Sequence, residues 1–228
     1  GEKLGEPEAG ARAILQQFAN RCFRRAAIPA EIDRLLRIYK LGRDRGENHS
    51  GALRVAMKAI MVSPYFIYRM EWQPEASNPA KVVEIDEFAL ASRLSYWLWS
   101  STPDDELLSL AFRKALRPNL SAQVIRMLQD PKARALSENF AGQWLELRTL
   151  KVVSPDKERF PEFSPELAKA MLLETEELFH FIVQSNRSVM DFLSADYTFV
   201  NERLAKYYGI PNITGDQFRK IDLDPKSN

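Results

Sequence analysis

The sequence predicts an all-α protein, a multi-helix orthogonal bundle of about nine helices in two packed subdomains. Apolar residues recur at spacings of three and four along most of the 228-residue chain, as on the buried face of a helix. Proline or glycine separates these segments, and neither β-α-β alternation nor a glycine-rich phosphate loop occurs. With 45% apolar residues, the chain has enough material for a core.

Residues 9–72 are predicted to form a three-helix subdomain. The first helix carries an apolar stripe and closes at a pair of arginines, cations that suit the negative end of a helix. A second helix opens at Pro29 and is expected to end at Gly42 and Gly46, and Ser50 is expected to cap a third. A short aromatic turn then follows Pro64.

Residues 73–84 are predicted to be a linker, because prolines and polar residues replace the apolar pattern there. A larger helical subdomain, residues 85–210, follows, and residues 211–228 are expected to be a polar tail that frays. Within the larger subdomain, one helix is expected from Pro131 to Leu147.

Local signals place further elements of the larger subdomain. Ser164 and Pro165 are expected to open a helix that runs to Gln184, and Thr102 is expected to cap an earlier one. Residues 197–200 are expected to be extended, and Asn201 is expected to cap a last helix.

The helix that begins near Phe88 organises the larger subdomain, because it combines an apolar face with bulky aromatic residues. Arg93 lies inside this run, so a desolvated guanidinium is expected, and it needs a carboxylate partner. Candidate partners are Glu138, Glu174 and Asp196. The pair is predicted to be structural, with binding of an anionic ligand as the alternative.

Composition excludes several classes of function. The net charge is +1 and the basic residues are dispersed, so nucleic-acid binding is not expected. The single cysteine, Cys22, excludes an internal disulfide or a cysteine zinc cage. No apolar run approaches the roughly 18–20 residues of a membrane span, and the first residues lack the pattern of a signal peptide.

A metal site is one candidate. Glu174, Glu177 and His180 share a helix face, and Glu177 and His180 have the spacing found in carboxylate-bridged di-iron bundles. That chemistry requires a second such pair, and the chain has only two histidines. A structural ion pair or an exposed helix face is therefore the favoured interpretation, and no cofactor is expected in this chain.

A sugar-binding groove is another candidate. Asn139, Gln143 and Trp144 lie close together on a predicted helix. An aromatic face suits a sugar ring, and amides suit its hydroxyls. Packing in the core is the favoured interpretation of these residues. No Gly-x-Ser-x-Gly motif or other catalytic motif occurs, so an enzyme is not expected.

Several long motifs resemble two planctomycete-specific domains of unknown function. The chain resembles the fifth of these domains at ARAILQQFANRCFRR, residues 11–25, and at SPYFIYR, residues 63–69. It resembles the fourth at LASRLSYWLWSSTPDDELL, residues 90–108, at NFAGQWLELR, residues 139–148, and at ADYTFVNERLAKYYGI, residues 195–210. The motifs occur in the same order as in the family.

The resemblance implies a context and provides no catalytic residues. Such domains occur in large exported planctomycete proteins, beside segments that carry c-type haem. This implies a periplasmic or exported location, with other domains of the same polypeptide as partners and any haem in a neighbouring domain. The chain itself has no Cys-x-x-Cys-His motif.

The sequence therefore favours a non-catalytic scaffolding or interaction module of a larger, cytochrome-associated protein. Two alternatives stay open. One is a module that binds a polysaccharide or another envelope ligand, and the other is the helical part of a redox enzyme whose haem lies outside this chain.

Overall fold

The structure is a computed structural model and describes residues 7–71, 77–78 and 81–223. The described residues are mostly helical, with one small sheet of two strands, so the predicted fold class is confirmed. The orthogonal arrangement of the helices and the packing of two subdomains stay predictions.

The chain divides into two compact units. The first contains the residues up to Trp97 and Ser101–Val124, and the second contains Leu98–Ser100 and the residues from Ile125 onward. The first part of the predicted larger subdomain thus groups with the N-terminal helices. Residues 72–76 and 79–80 lie outside the described residues, so the linker at 73–84 stays a prediction.

Helices build the described part of the first unit. They are α1 (Pro7–Phe23), α2 (Pro29–Asp44), α3 (His49–Met61), α4 (Pro64–Ile67), α5 (Glu87–Trp99) and α6 (Asp105–Phe112), and α7 (Leu120–Gln129) crosses into the second unit. The first three helices enclose a core in which Leu15, Ile32 and Ile60 are fully buried. Gly42 lies inside α2, and a Cβ added there would lie 3.2 Å from the Cα of Ala52 on α3.

Two predicted caps and one of two predicted end glycines differ from the structure. Of the glycines expected to end α2, Gly46 follows the C-cap residue Arg45 with φ 89°, but Gly42 lies inside the helix, because its missing side chain serves the close approach to α3 instead. Asn48, not Ser50, caps α3, and its side chain accepts from the backbone N–H of Gly51 at 2.8 Å. Asp104, not Thr102, caps α6, because its carboxylate reaches the N–H of Leu107.

The second unit begins with short, irregular helices. They are a 3₁₀ turn (Pro131–Ala133), a π-helical turn (Leu136–Ala141), α8 (Gly142–Trp144) and a second 3₁₀ turn (Leu147–Lys151). The single helix expected from Pro131 to Leu147 is therefore wrong. Apolar spacing gave no sign of this break, because π and 3₁₀ turns use the same residues as an α-helix.

The remainder of this unit is more regular. It contains α9 (Pro165–Gln184), α10 (Asp191–Ser194), β1 (Tyr197–Val200), α11 (Glu202–Tyr208) and β2 (Arg219–Asp222). The bounds predicted for α9 are confirmed, and Ser164 caps it by accepting from the N–H of Leu167 at 3.2 Å.

The two strands pair in antiparallel fashion, with Tyr197 opposite Asp222 and Val200 opposite Arg219. The expectation that the chain frays beyond residue 211 is therefore wrong for β2. Ile221 and Phe218 pack against a core that contains Val200 and Leu204, and this burial holds the polar segment in place. Residues 224–228 lie outside the described residues.

Candidate functional site

A cavity of about 740 Å³ opens in the second unit between the π-helical turn, the second 3₁₀ turn and α9. Its walls combine apolar side chains with a small set of polar ones, as ligand sites commonly do. The apolar wall includes Leu147, Leu150, Phe163 and Leu172. The polar groups are Glu138, Asn139, Arg148, Lys151, Lys169 and Glu176.

Helix α9 supplies one wall through the four-residue spacing of Ala168, Leu172 and Glu176, which stacks them on one face. Pro165 at the first turn and the Ser164 cap fix where this helix starts, and so fix which side chains face the cavity.

The π-helical turn supplies the opposite wall. Wider than an α-helical turn, it brings Glu138, Asn139 and, just beyond its end, Gly142 to the cavity. Phe140 instead stacks on Trp144, with ring centroids 5.7 Å apart and planes 24° from parallel. The turn therefore presents polar groups to the cavity and aromatic groups elsewhere.

Glu176 is the unusual group of the cavity. Its residue is only 7% exposed, and burial, aided by the nearby charge of Glu138, raises the pKa of its carboxyl above the usual range. Arg134 comes no closer than 4.0 Å to it, because that guanidinium pairs with Glu177 at 2.8 Å. Glu176 is thus a buried carboxyl at the cavity wall, on which the charges of Arg134 and Lys151 act without offsetting the effect of burial.

Donor groups lie across the cavity from it. Arg148 donates to the amide oxygen of Asn139 at 3.4 Å, and the amide nitrogen of Asn139 donates to the hydroxyl of Ser100 at 2.9 Å. Lys151 and Lys169 are exposed at the cavity edge. Hydrogen-bond acceptors and donors therefore surround an apolar wall.

The three predicted metal ligands have separate partners. Glu174 accepts from the hydroxyls of Thr198 and, at 2.8 Å, Tyr208. Glu177 pairs with Arg134, and His180 lies 3.5 Å from the hydroxyl of Ser137. Burial, with the charge of Arg134, lowers the pKa of His180. Within residues 7–71, 77–78 and 81–223, no group of three or more His, Cys, Asp or Glu could hold a metal ion.

Of the three predicted sugar-binding residues, only Asn139 lines the cavity. Gln143 is exposed beside it, and Trp144 is 58% exposed in its stack with Phe140. The favoured interpretation, that these residues are core, is wrong, because Asn139, Gln143 and Trp144 are all exposed.

The expectation for Arg93 is wrong. Its side chain is 60% exposed and pairs with Glu71 rather than with Glu138, Glu174 or Asp196. The buried face of α5 contains Ala91 and Ser95, and Arg93 lies about 200° around the helix from each of them. Apolar neighbours misled the prediction, because the side of α5 that carries Arg93 is itself exposed, as at Trp97, which is 58% exposed.

Sequence reasoning missed Glu176 and Arg148. The metal-site argument considered Glu174 and Glu177 on this helix and passed over Glu176, although its spacing of four from Leu172 places it on the buried side. For Arg148 no such signal existed, since it lies in a 3₁₀ turn predicted as the end of a helix. No helix among the described residues has the length and apolarity needed to cross a membrane.

Fold and cavity together define a mostly helical protein with a polar-edged cavity. Residues 85–210 match the family model PSD4, a protein of unknown function (DUF1592), and residues 10–71 match PSD5, a protein of unknown function (DUF1595). The chain belongs to the PSD4 family, whose model covers more than half of it, and the predicted resemblance is confirmed. Neither the curated proteins nor the solved structures gave a match.

Proposed function

We propose that this chain is a non-catalytic binding module, and that the cavity beside the π-helical turn binds a hydroxyl-rich ligand such as a segment of polysaccharide. The observation that carries the proposal is the cavity itself, in which a buried carboxyl and several donors surround an apolar wall.

A sugar fits this chemistry because each hydroxyl both donates and accepts. Glu176 and Glu138 supply acceptors, and Asn139 and Arg148 supply donors. The apolar faces of a sugar ring match the wall that includes Phe163. A neutral ligand also suits the site, because its hydroxyls can donate to Glu176 without a second buried charge.

Calorimetry of the whole chain with cellohexaose, chitohexaose and xylohexaose tests this proposal. We expect at least one of them to bind, and Glu176→Gln and Arg148→Gln each to weaken that binding by about 10-fold, since each removes a charged partner worth about 1.5 kcal/mol or more.

The matched controls are Glu166→Gln, in the exposed first turn of α9, and Arg159→Gln, which is exposed. Neither residue lines the cavity, and both variants should bind like the wild type. Absence of binding to all three oligosaccharides would contradict the proposal. Release of reducing ends would contradict its non-catalytic part, because a carboxyl with a raised pKa also suits a general acid.

A second candidate is the scaffolding or interaction role, which a series of aromatic rings favours. Trp144 stacks on Phe140, Phe140 lies 6.1 Å from Phe179, and Phe179 lies 5.0 Å from Phe192. Leu193, next to Phe192, is 84% exposed. This aromatic ridge, residues 140, 144, 179 and 192, is buried at Phe179, and its exposed rings Phe140 and Trp144 leave apolar surface of the kind found at interfaces between proteins.

In this role the module would contact other domains of the same polypeptide. Following the resemblance, we propose that it forms part of a larger exported, cytochrome-associated protein of planctomycetes, with any c-type haem in a neighbouring domain. The alternative role, as the helical part of a redox enzyme, depends on the same neighbour and stays a prediction.

Binding of this chain to the neighbouring segment of the natural polypeptide, produced separately, tests the second candidate. Trp144→Ser with Leu193→Ser should abolish the complex, and Val62→Ser, at a residue of the first unit that is 72% exposed, should leave it intact. Equal binding by all variants would contradict a role of the ridge.

A further inference from the structure

The first unit contains a second cavity, of about 310 Å³, whose lining is rich in arginine. The end of α1, the segment around α4 and the first turns of α5 form its walls. Four cationic side chains line it, Arg24, Arg25, Arg69 and Arg93, against two acidic ones, Glu71 and Asp86. Phe23, Tyr65 and Phe88 add aromatic surface, and Ser92 adds a hydroxyl.

Arg24 gives this cavity a fixed positive charge. It is 5% exposed, and it donates to the backbone carbonyls of Tyr65 at 2.8 Å, Phe66 at 3.2 Å and Tyr68 at 2.8 Å. Within the described ranges no carboxylate lies at ion-pair distance from it. Carbonyl dipoles alone compensate the charge, so its field reaches the cavity.

Arg25 and Arg93 are held in place by carboxylates that bind two of their nitrogens. Glu31 accepts from Arg25 at 2.7 and 3.0 Å, and Glu71 accepts from the Nε of Arg93 at 2.6 Å. Such forked pairs fix the plane of a guanidinium and leave further N–H groups for another acceptor. Arg25 also lies 4.5 Å from the ring centre of Tyr65.

Arg69 is the fourth cation of this cavity, and its charge helps to lower the pKa of Glu71, which pairs with Arg93. Its guanidinium carbon lies 4.5 Å from the ring centre of Tyr96, which positions the side chain without neutralising it. Among the residues that the structure describes, it too has no carboxylate within ion-pair distance. Asp86 occupies the start of α5 by accepting from the N–H of Ala89 at 2.7 Å, so the helix end does not compete for an anion.

We propose that this cavity binds a compact organic anion, whose carboxylate or phosphate contacts Arg69 and Arg93 and whose apolar body contacts Phe23, Tyr65 and Phe88. Guanidinium groups fit both anions through paired hydrogen bonds, and the aromatic walls favour an apolar or aromatic body over a bare inorganic ion. The volume limits the ligand to the size of a small metabolite.

Calorimetry of the whole chain with phenyl phosphate, benzoate, inorganic phosphate and benzyl alcohol tests this proposal. We expect phenyl phosphate or benzoate to bind one-to-one at sub-millimolar concentration, inorganic phosphate to bind more weakly, and benzyl alcohol not to bind. The better of the first two identifies the anion. Equal binding of benzyl alcohol, or no binding of either aromatic anion at millimolar concentration, would overturn the proposal.

Arg69→Gln is the informative variant, because loss of this exposed residue leaves the pairs of Arg25 and Arg93 intact. We expect it to weaken binding of the aromatic anion about 10-fold or more. Arg54→Gln, at an exposed residue of α3 outside the cavity, is the control and should bind like the wild type. Equal losses in the two variants would overturn the assignment to this cavity.

The outcome is independent of the polysaccharide proposal. Glu176→Gln, which changes the cavity of the second unit, should leave binding of the aromatic anion unchanged. A loss in that variant would place the anion in the other cavity and overturn the inference for this one.

Discussion

The helices α1–α3 and the run from Pro131 to Lys151 are organised in opposite ways. The former are long and regular, with fully buried residues such as Leu15 and Ile60. The latter breaks into 3₁₀, π and short α turns, and exposes large apolar residues such as Trp144 and Leu145. The regular region buries its apolar groups in a core, and the irregular region uses its turns to line a cavity.

The two regions therefore contribute to different properties: the regular one to stability, and the irregular one to the lining of the cavity. Burial of side chains such as Leu15 contributes to stability in proportion to the apolar area removed from water. A turn that leaves Trp144 exposed and places Asn139 at a cavity gains less from burial. Substitutions in the two regions should therefore affect different measurements.

The largest expected effect is in the core of the first unit. Leu15→Ala should lower the free energy of unfolding by about 3 kcal/mol, because Leu15 is fully buried and its loss leaves a cavity. Leu145→Ala, at a residue 41% exposed in the irregular run, should cost less than about 1 kcal/mol. Urea unfolding curves of the two variants measure the difference, and equal costs would remove the contrast between the regions.

A second effect concerns Arg24, which donates hydrogen bonds to the backbone around α4. Arg24→Met should lower the free energy of unfolding by about 2 kcal/mol, because it leaves three backbone carbonyls without their donor. Arg93→Met removes an ion pair that is largely exposed, and its thermal midpoint should match that of the wild type. A larger loss of stability in Arg93→Met than in Arg24→Met would contradict this assignment of the structural role to Arg24.

Two glycines sharpen the comparison because alanine should have opposite effects at them. Gly42→Ala should destabilise by about 1 kcal/mol, since its Cβ would lie 3.2 Å from the backbone of Ala52. Gly142→Ala should stabilise by about 0.5–1 kcal/mol, because Gly142 has helical dihedral angles and open space for a Cβ. Thermal melts compare them, and two effects of the same sign would refute the difference in packing.

The last effect is a dependence on pH at the cavity of the second unit. The raised pKa of Glu176 means that the folded state holds this proton more tightly than the unfolded state. Its contribution to stability is therefore complete below the ordinary carboxyl pKa and is lost as pH rises through the raised value. Glu176→Gln should remove this loss, so that the variant gains stability relative to the wild type as pH rises.

Glu166 provides a control of opposite sign. Hydrogen bonds from its own backbone N–H and from Ser164 lower its pKa, so its contribution is present above the ordinary carboxyl pKa and is lost as pH falls. Chemical unfolding from pH 2 to pH 8 separates Glu176→Gln from Glu166→Gln, whose stability relative to the wild type should change only at the acidic end. A Glu176→Gln curve parallel to that of the wild type would mean that the cavity does not hold this proton.

The sequence was sufficient for elements whose ends carry their own chemistry. Ser164 with Pro165 located the start of α9, and Asn201 located the start of α11, because a cap and its helix lie within a few residues of each other. The same local reasoning predicted the extended segment at β1. It did not predict β2, because the pairing of β2 with β1 depends on tertiary structure that brings two separate segments of the chain together.

The candidate site was harder to predict. Asn139 was identified from its residue type, but its role at a cavity depends on a π-helical turn that leaves no periodic signal. The burial of Glu176 and the exposure of Arg93 depend on which side of a helix meets its neighbours, and apolar residues nearby in sequence do not determine that.

The π-helical turn has a consequence for how members of this family are aligned. Such a turn adds a residue to what would otherwise be an α-helix and rotates everything after it by about 100°. A homologue with one residue fewer between Leu136 and Ala141 would present the neighbours of Asn139 to the cavity instead. A single-residue gap in this motif would therefore mark a change in the side chains that line the cavity, among relatives whose sequences are otherwise similar.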